Sequence, residues 1–265
     1  MGEYVFNLRK NAFLIILSFL LLSSLKVYSY NTGGAMTFED DYNDFWYNQV
    51  DSFLNIIDSY PNWNKLFSRD YPNVGPYMYV EEANNGLDDS YADKVEISII
   101  LGHTAVVLVN GNYYTAIGFG AGKGAAIPQQ VRLGYQSPDN KGEAIWAFII
   151  QCELLHDDQG NQIGVGGWTQ TLTGLHMLLG FKNSPAIVNG DIPELAKRLT
   201  GTGGFPKEKV QDAFFHTFVD SDHPNNIARI VAESTSVVDN DVIDNFNEQI
   251  PVDGTKIIIT CWYTG

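Results

Sequence analysis

The chain has 265 residues, with 31 acidic against 16 basic side chains and a net charge of −15. That balance argues against a nucleic-acid partner, a role that needs a basic face. The apolar share of 45% suits a folded globular chain, and the length suits one large domain or two small ones, of which one is the simpler reading.

The first 29 residues have the layout of a secretory signal peptide. Arg9 and Lys10 precede an apolar stretch over residues 12–25, broken only by Ser18, Ser23 and Ser24. Val27-Tyr28-Ser29 offers a cleavage site, and the apolar stretch is short for a membrane span. The expectation is a secreted or cell-surface protein, with a single domain over residues 30–265. Membrane contact is expected only through the signal segment, were it left uncleaved.

Residues 31–35 read as a short Gly-containing leader, followed by the acidic lead-in Glu39-Asp40-Asp41. Phe45, Trp46, Val50, Phe53, Leu54 and Ile57 fall on a helical stripe that Pro61 ends. A loop-rich stretch, a short strand at residues 77–80 and an acidic segment with Asp88, Asp89 and Asp93 follow. Residues 95–101 and 144–151 are Ile-rich apolar runs bounded by polar or Gly-containing segments, which predicts buried strands. Buried on both faces, such strands belong in a parallel α/β sheet. Between them, Asn110-Gly111 separates two apolar runs, a hairpin signal. The run Gly118-Phe119-Gly120-Ala121-Gly122-Lys123-Gly124 lacks the leading Gly and the trailing Ser or Thr of a phosphate loop and reads as a flexible loop. Further helices are predicted over residues 168–179, with Gly180 as the cap, 192–199 and 206–219, and a last strand over 256–263. Two acidic clusters, Asp220-Ser221-Asp222-His223 and Asp239-Asn240-Asp241, raise calcium as a candidate ligand, although neither has the EF-hand spacing. No other cofactor and no other metal is expected.

The first buried run leads into Gly102-His103-Thr104 and the second into Cys152, 49 residues after the histidine. If the strands are parallel neighbours, His103 and Cys152 meet at the carboxyl edge, where open α/β sheets place their sites. A thiolate is the nucleophile of cysteine chemistry, and an imidazole beside it carries the proton. The backbone N–H groups of Cys152 and of Gly102 or Thr104 are candidates for an oxyanion hole. Asp88, Asp89, Asp157 and Asp158 are candidates to bind a basic substrate side chain. The competing reading turns on the second cysteine, Cys261. In an exported chain, two cysteines can form a disulfide, which would remove Cys152 as a nucleophile.

Leu101-Gly102-His103-Thr104 with Ile149-Ile150-Gln151-Cys152-Glu153 resembles the His-Gly and Cys signatures of the caspase-like peptidases, including the gingipain and legumain types. The run is also similar to an uncharacterised secreted prokaryotic family. The pieces that carry this likeness are Gly86-Leu87-Asp88, Gly102-His103, the Trp146-bearing strand ending at Cys152, and a Gly174-Leu175-His176-Met177-Leu178-Leu179-Gly180-Phe181 helix, within residues 38–232. The resemblance implies a caspase-like three-layer α/β sandwich with a mostly parallel central sheet, and His103 and Cys152 as a dyad acting on a peptide or protein substrate. Thr104 stands where those peptidases carry Gly, and Gln151 where they often carry a small residue. The expectation is an exported cysteine peptidase-like hydrolase favouring basic residues. The alternative is a non-catalytic exported protein on the same fold that binds or assembles at the cell surface.

Overall fold

The computed structural model describes residues 29–38, 43–120, 122–134, 142–246 and 256–264. The signal segment, Ser29 apart, and the acidic lead-in Glu39-Asp40-Asp41 lie outside the described residues. The elements in chain order are β1 (Tyr30–Met36), α1 (Asn43–Asp58), β2 (Trp63–Arg69), β3 (Ile97–Leu101), β4 (Thr104–Val109), β5 (Asn112–Gly118) and β6 (Ala125–Ala126). Then come β7 (Trp146–Ile150), β8 (Gln162–Ile163), α2 (Val165–Thr169), β9 (Met177–Phe181), α3 (Asp191–Thr200), α4 (Val210–Phe218), β10 (Ile227–Ala232), α5 (Thr235–Asn240) and β11 (Ile257–Trp262).

Seven strands form one mixed sheet in the order β11-β10-β9-β7-β3-β1-β2. The five from β9 to β2 are mutually parallel, while β10 runs antiparallel to both β9 and β11. Alternate residues of each strand serve opposite faces. Ile99, Phe148, Leu179 and Ile230 meet the helical side, with Phe53 and Leu54 of α1, Leu195 of α3 and Phe214 of α4. Ile100, Ile149, Leu178 and Val231 meet the other side, which carries Met78, Ile117, Phe119 and Trp168. That second side holds the small sheet β4-β5-β6, with β8 paired to β5. The protein is thus α/β, with a mostly parallel central sheet covered on both faces.

Two strands run where loops were expected, and each has a packing reason. In β1, a Cβ on Gly33 would lie 2.2 Å from the Phe67 ring, and one on Gly34 would lie 2.8 Å from both Ile99 and Val50. Large neighbours close over the strand, so only glycine fits; the low strand propensity of the run is overridden by its central place between β2 and β3. β2 follows the α1 crossover and pairs in parallel with β1.

The predicted helix over residues 168–179 is corrected. Only Val165–Thr169 is helical, and Met177–Phe181 is the interior strand β9, buried at every residue. Its apolar run packs on both faces, and over so short a length that pattern cannot be told from a helical stripe. Gly174, at φ 103°, turns the chain between the two. Gly180 is therefore a strand residue, opposite Arg229. Residues 76–78 form a turn of 3-10 helix rather than a strand. α4 begins at Val210, so Pro206 lies before it rather than in its first turn.

His176 is a hydrogen-bonded core residue, as its place in an apolar run suggests. Its Nδ1 lies 2.6 Å from Asp241 Oδ2, the oxygen that also accepts the Trp146 indole N–H at 2.8 Å. The two acidic clusters hold protein groups. Asp241 serves that network, and Asp220 accepts from the His223 ring at 2.8 Å. Among the described residues, no group of three or more His, Cys, Asp or Glu side chains is placed to hold a metal ion. Nor is any described helix long and apolar enough to cross a membrane.

Candidate functional site

β3 and β7 are parallel neighbours, in the register Ile100↔Ile149 and Leu101↔Ile150. His103 and Cys152 each stand two residues beyond that last pair, so the topology brings them out level at the carboxyl edge. Both line a cavity of about 210 Å³, together with Phe38, Trp46, Pro185 and Ile187 among others. His103 is exposed and Cys152 half-buried. The Phe38 ring meets the His103 ring at 4.6 Å between centroids and 86° between planes, an edge contact that fixes one side of the imidazole.

The two cysteines are free thiols, which corrects the disulfide alternative. Cys261 lies on β11, three strands from β7. At about 4.8 Å per strand the separation is about 14 Å, beyond the reach of a disulfide. Burial pushes the Cys261 thiol pKa upward.

Neighbouring polar groups hold the site rigid. Gly102 is required by contact: a Cβ there would lie 1.8 Å from Thr37 Oγ1. Its N–H donates to Ile150 O at 3.2 Å, which withdraws it from the oxyanion role. Thr104 opens β4, and its hydroxyl donates to the Cys152 carbonyl, tying the two segments together. The buried Gln151 amide engages both polar groups of Gly118, accepting from its N–H and donating to its carbonyl at 3.3 Å each. It thereby docks the β4–β5 hairpin beside the cavity, a role a small residue could not fill.

Immediately after Cys152, Glu153 adopts φ 54°, a left-handed conformation that costs a non-glycine residue about 1–2 kcal/mol. It is held there by its N–H donating to Asn183 O at 3.0 Å. Leu155 anchors the rest of the turn, donating to Phe181 O at 2.9 Å and accepting from Arg229 Nη1 at 2.8 Å. A strained residue sustained by surrounding bonds is a pattern found at functional turns. The N–H of Cys152 donates to no main-chain carbonyl among the described residues.

The four aspartates are placed elsewhere. Asp88 is buried and Asp89 lies beside it, in the segment leading to the opposite, amino end of β3. Asp157 pairs with Lys182 at 2.6 Å and Arg229 at 2.8 Å, and these cations hold its carboxyl below the usual range. Asp158 accepts the N–H groups of Gly164 at 2.8 Å and Gly166 at 3.1 Å. None of the four lines the cavity. Sequence reasoning did not assign Phe38, Trp46, Pro185 and Ile187 to the site. Trp46 carried only a helical signal, and the loop with Pro185 and Ile187 was hidden once β9 was read as a helix.

Comparison with known proteins gives a family and one relative. The family model described as "Domain of unknown function (DUF6345)" matches residues 48–264. An "Uncharacterized protein" of Archaeoglobus fulgidus is 51% identical over 240 residues, covering 89% of this chain and 88% of the relative. No solved structure matches.

Proposed function

The chain belongs to the DUF6345 family, and from its site we propose that it is an exported cysteine peptidase-like hydrolase on a caspase-like sandwich, with Cys152 and His103 as its dyad. The observation that carries the reading is the register of β3 and β7, which brings a free thiol and an exposed imidazole level on one cavity. In the reaction, His103 takes the thiol proton as Cys152 Sγ bonds to the substrate carbonyl carbon. It returns that proton to the leaving amine as the C–N bond breaks, leaving a thioester. Water, deprotonated by the same imidazole, then cleaves the thioester and restores the thiol. The Cys152 N–H, which donates to no main-chain carbonyl among the described residues, is the candidate oxyanion donor.

Labelling with iodoacetamide and cleavage of fluorescently tagged casein test this reading. Cys152 should label faster than Cys261, and His103→Ala should slow that labelling about tenfold or more. Cys152→Ala and His103→Ala should lower casein cleavage by about 10²–10⁴-fold. Equal labelling of both cysteines, unchanged by His103→Ala, with no cleavage, would refute the assignment. Export through the first 29 residues is part of the proposal, tested by amino-terminal sequencing of secreted protein. A second reading, binding without turnover, is favoured by one observation: the Gly102 N–H, a natural second oxyanion donor, is already bonded to Ile150.

A further inference from the structure

A second opening lies along the same sheet edge. It is a cleft of about 590 Å³ walled by Val74, Tyr77 and Tyr91, with Arg69 and Lys123 at its rim. Arg69 ends β2. The pairs Ala35↔Arg69 and Ala35↔Ile100 set it level with Ile100, three residues before His103 and two strands away. At about 4.8 Å per strand, Arg69 stands about 10 Å from β3. Lys123 comes from the Gly-rich loop between β5 and β6, and its Nζ lies 5.6 Å from the centre of the Tyr71 ring.

Packed residues link the cleft to the cavity through the buried Thr37. That residue closes on Gly102 on one side, while on the other a Cβ at Gly120 would lie 3.0 Å from its carbonyl oxygen. Tyr77 and Tyr91 meet at 5.6 Å and 66°, and Phe67 backs Tyr91 at 5.5 Å, so the aromatic wall is braced.

Charge distinguishes the cleft. The chain as a whole carries −15, which repels anions. Most described cations elsewhere hold carboxylates, as Lys65 does Asp51, Arg198 Glu208 and Lys207 Asp244. Arg69 and Lys123 are exposed and take part in no ion pair among the described residues. The adjacent Asp70 accepts instead from the Asn73 side-chain amide at 3.3 Å. A guanidinium fork and an ammonium over flat aromatic walls match a carboxylate on a short apolar stem.

We propose that this cleft is a substrate subsite that takes an acidic side chain of an extended polypeptide, bound with its scissile bond at Cys152. The proposal rests on the cysteine-peptidase reading above and reverses the preference for basic residues expected from the sequence. Cys152 lies three strands from β2 and three residues past the level of Arg69, about 17 Å away at about 4.8 Å per strand and about 3.3 Å per residue, so the acidic residue falls about five positions from the cleaved bond.

The test uses the full chain with Cys152→Ala, which prevents turnover, and fluorescein-labelled hexaglutamate and hexalysine peptides. Binding is read by anisotropy, with inorganic phosphate as competitor. Hexaglutamate should bind and hexalysine should not. Arg69→Gln and Lys123→Gln should each weaken binding about tenfold, and added salt should weaken it further. Both side chains are exposed and without ion pairs, so the substitutions leave the fold intact. No hexaglutamate binding, equal binding of hexalysine, or indifference to both substitutions overturns the proposal. Displacement by phosphate as effective as by unlabelled hexaglutamate would make the site one for free phosphate and overturn the peptide assignment. Failure of the dyad leaves hexaglutamate binding in place, whereas failure of the subsite leaves Cys152 labelling and casein cleavage in place, so the two are told apart.

Discussion

Asp88 gives the sharpest test of the energetics. The residue is 1% exposed, and its Oδ1 accepts the Asp89 N–H at 3.1 Å, while Oδ2 has no hydrogen-bond partner among the described residues. Burial, and after it the fields of Glu81 and Asp89, pushes its carboxyl up from 3.8 to about 8. Asp93, which is fully buried, is also raised well above its ordinary value, chiefly by burial. Between about pH 4 and about pH 8 the unfolded chain has released the Asp88 proton while the folded chain keeps it. The unfolded state binds fewer protons, so stability is full below about pH 4 and falls as pH rises toward 8. At about 1.4 kcal/mol per pH unit the ceiling is about 6 kcal/mol, and solvent screening lowers it to roughly 2–3 kcal/mol. Asp88→Asn mimics the protonated carboxyl and keeps an oxygen for the Asp89 N–H. Urea unfolding followed by tryptophan fluorescence should find the variant close to wild type near pH 4 and more stable by roughly 2–3 kcal/mol near pH 8.5. A variant-minus-wild-type difference that stays constant over that range would refute the argument.

Three further outcomes follow from the same packing. Asp241→Ala removes the acceptor of two buried donors, the Trp146 indole and the His176 ring. It should cost about 3–5 kcal/mol, seen in thermal unfolding as a fall of about 10 °C or more. Gly102→Ala forces a Cβ to within 1.8 Å of Thr37 Oγ1. It should destabilise by about 1–3 kcal/mol and slow Cys152 labelling, and Thr37→Ala in the same chain should recover much of the loss in a double-mutant cycle. Glu153→Gly relieves the left-handed backbone at φ 54°. It should raise stability by about 0.5–1 kcal/mol, measured as a higher urea midpoint.

Local sequence determined the elements that carry their own signal. The stripe from Phe45 to Ile57 became α1, and Asn110-Gly111 became a turn with φ 51° and 86° between β4 and β5. The Ile-rich runs became β3 and β7, and their shared character was enough to expect His103 and Cys152 at one edge. Tertiary structure alone decided the rest. A glycine pair in β1 is a strand only because Phe67, Val50 and Ile99 close over it. The run at residues 177–181 is a strand only because β7 and β10 flank it. The fates of Cys261, Asp157 and Asp158, and the meeting of Arg69 with Lys123 at one cleft, depend on strand order and loop placement. Those are set by contacts between residues far apart in the chain, where periodicity and propensity, being local, carry no information.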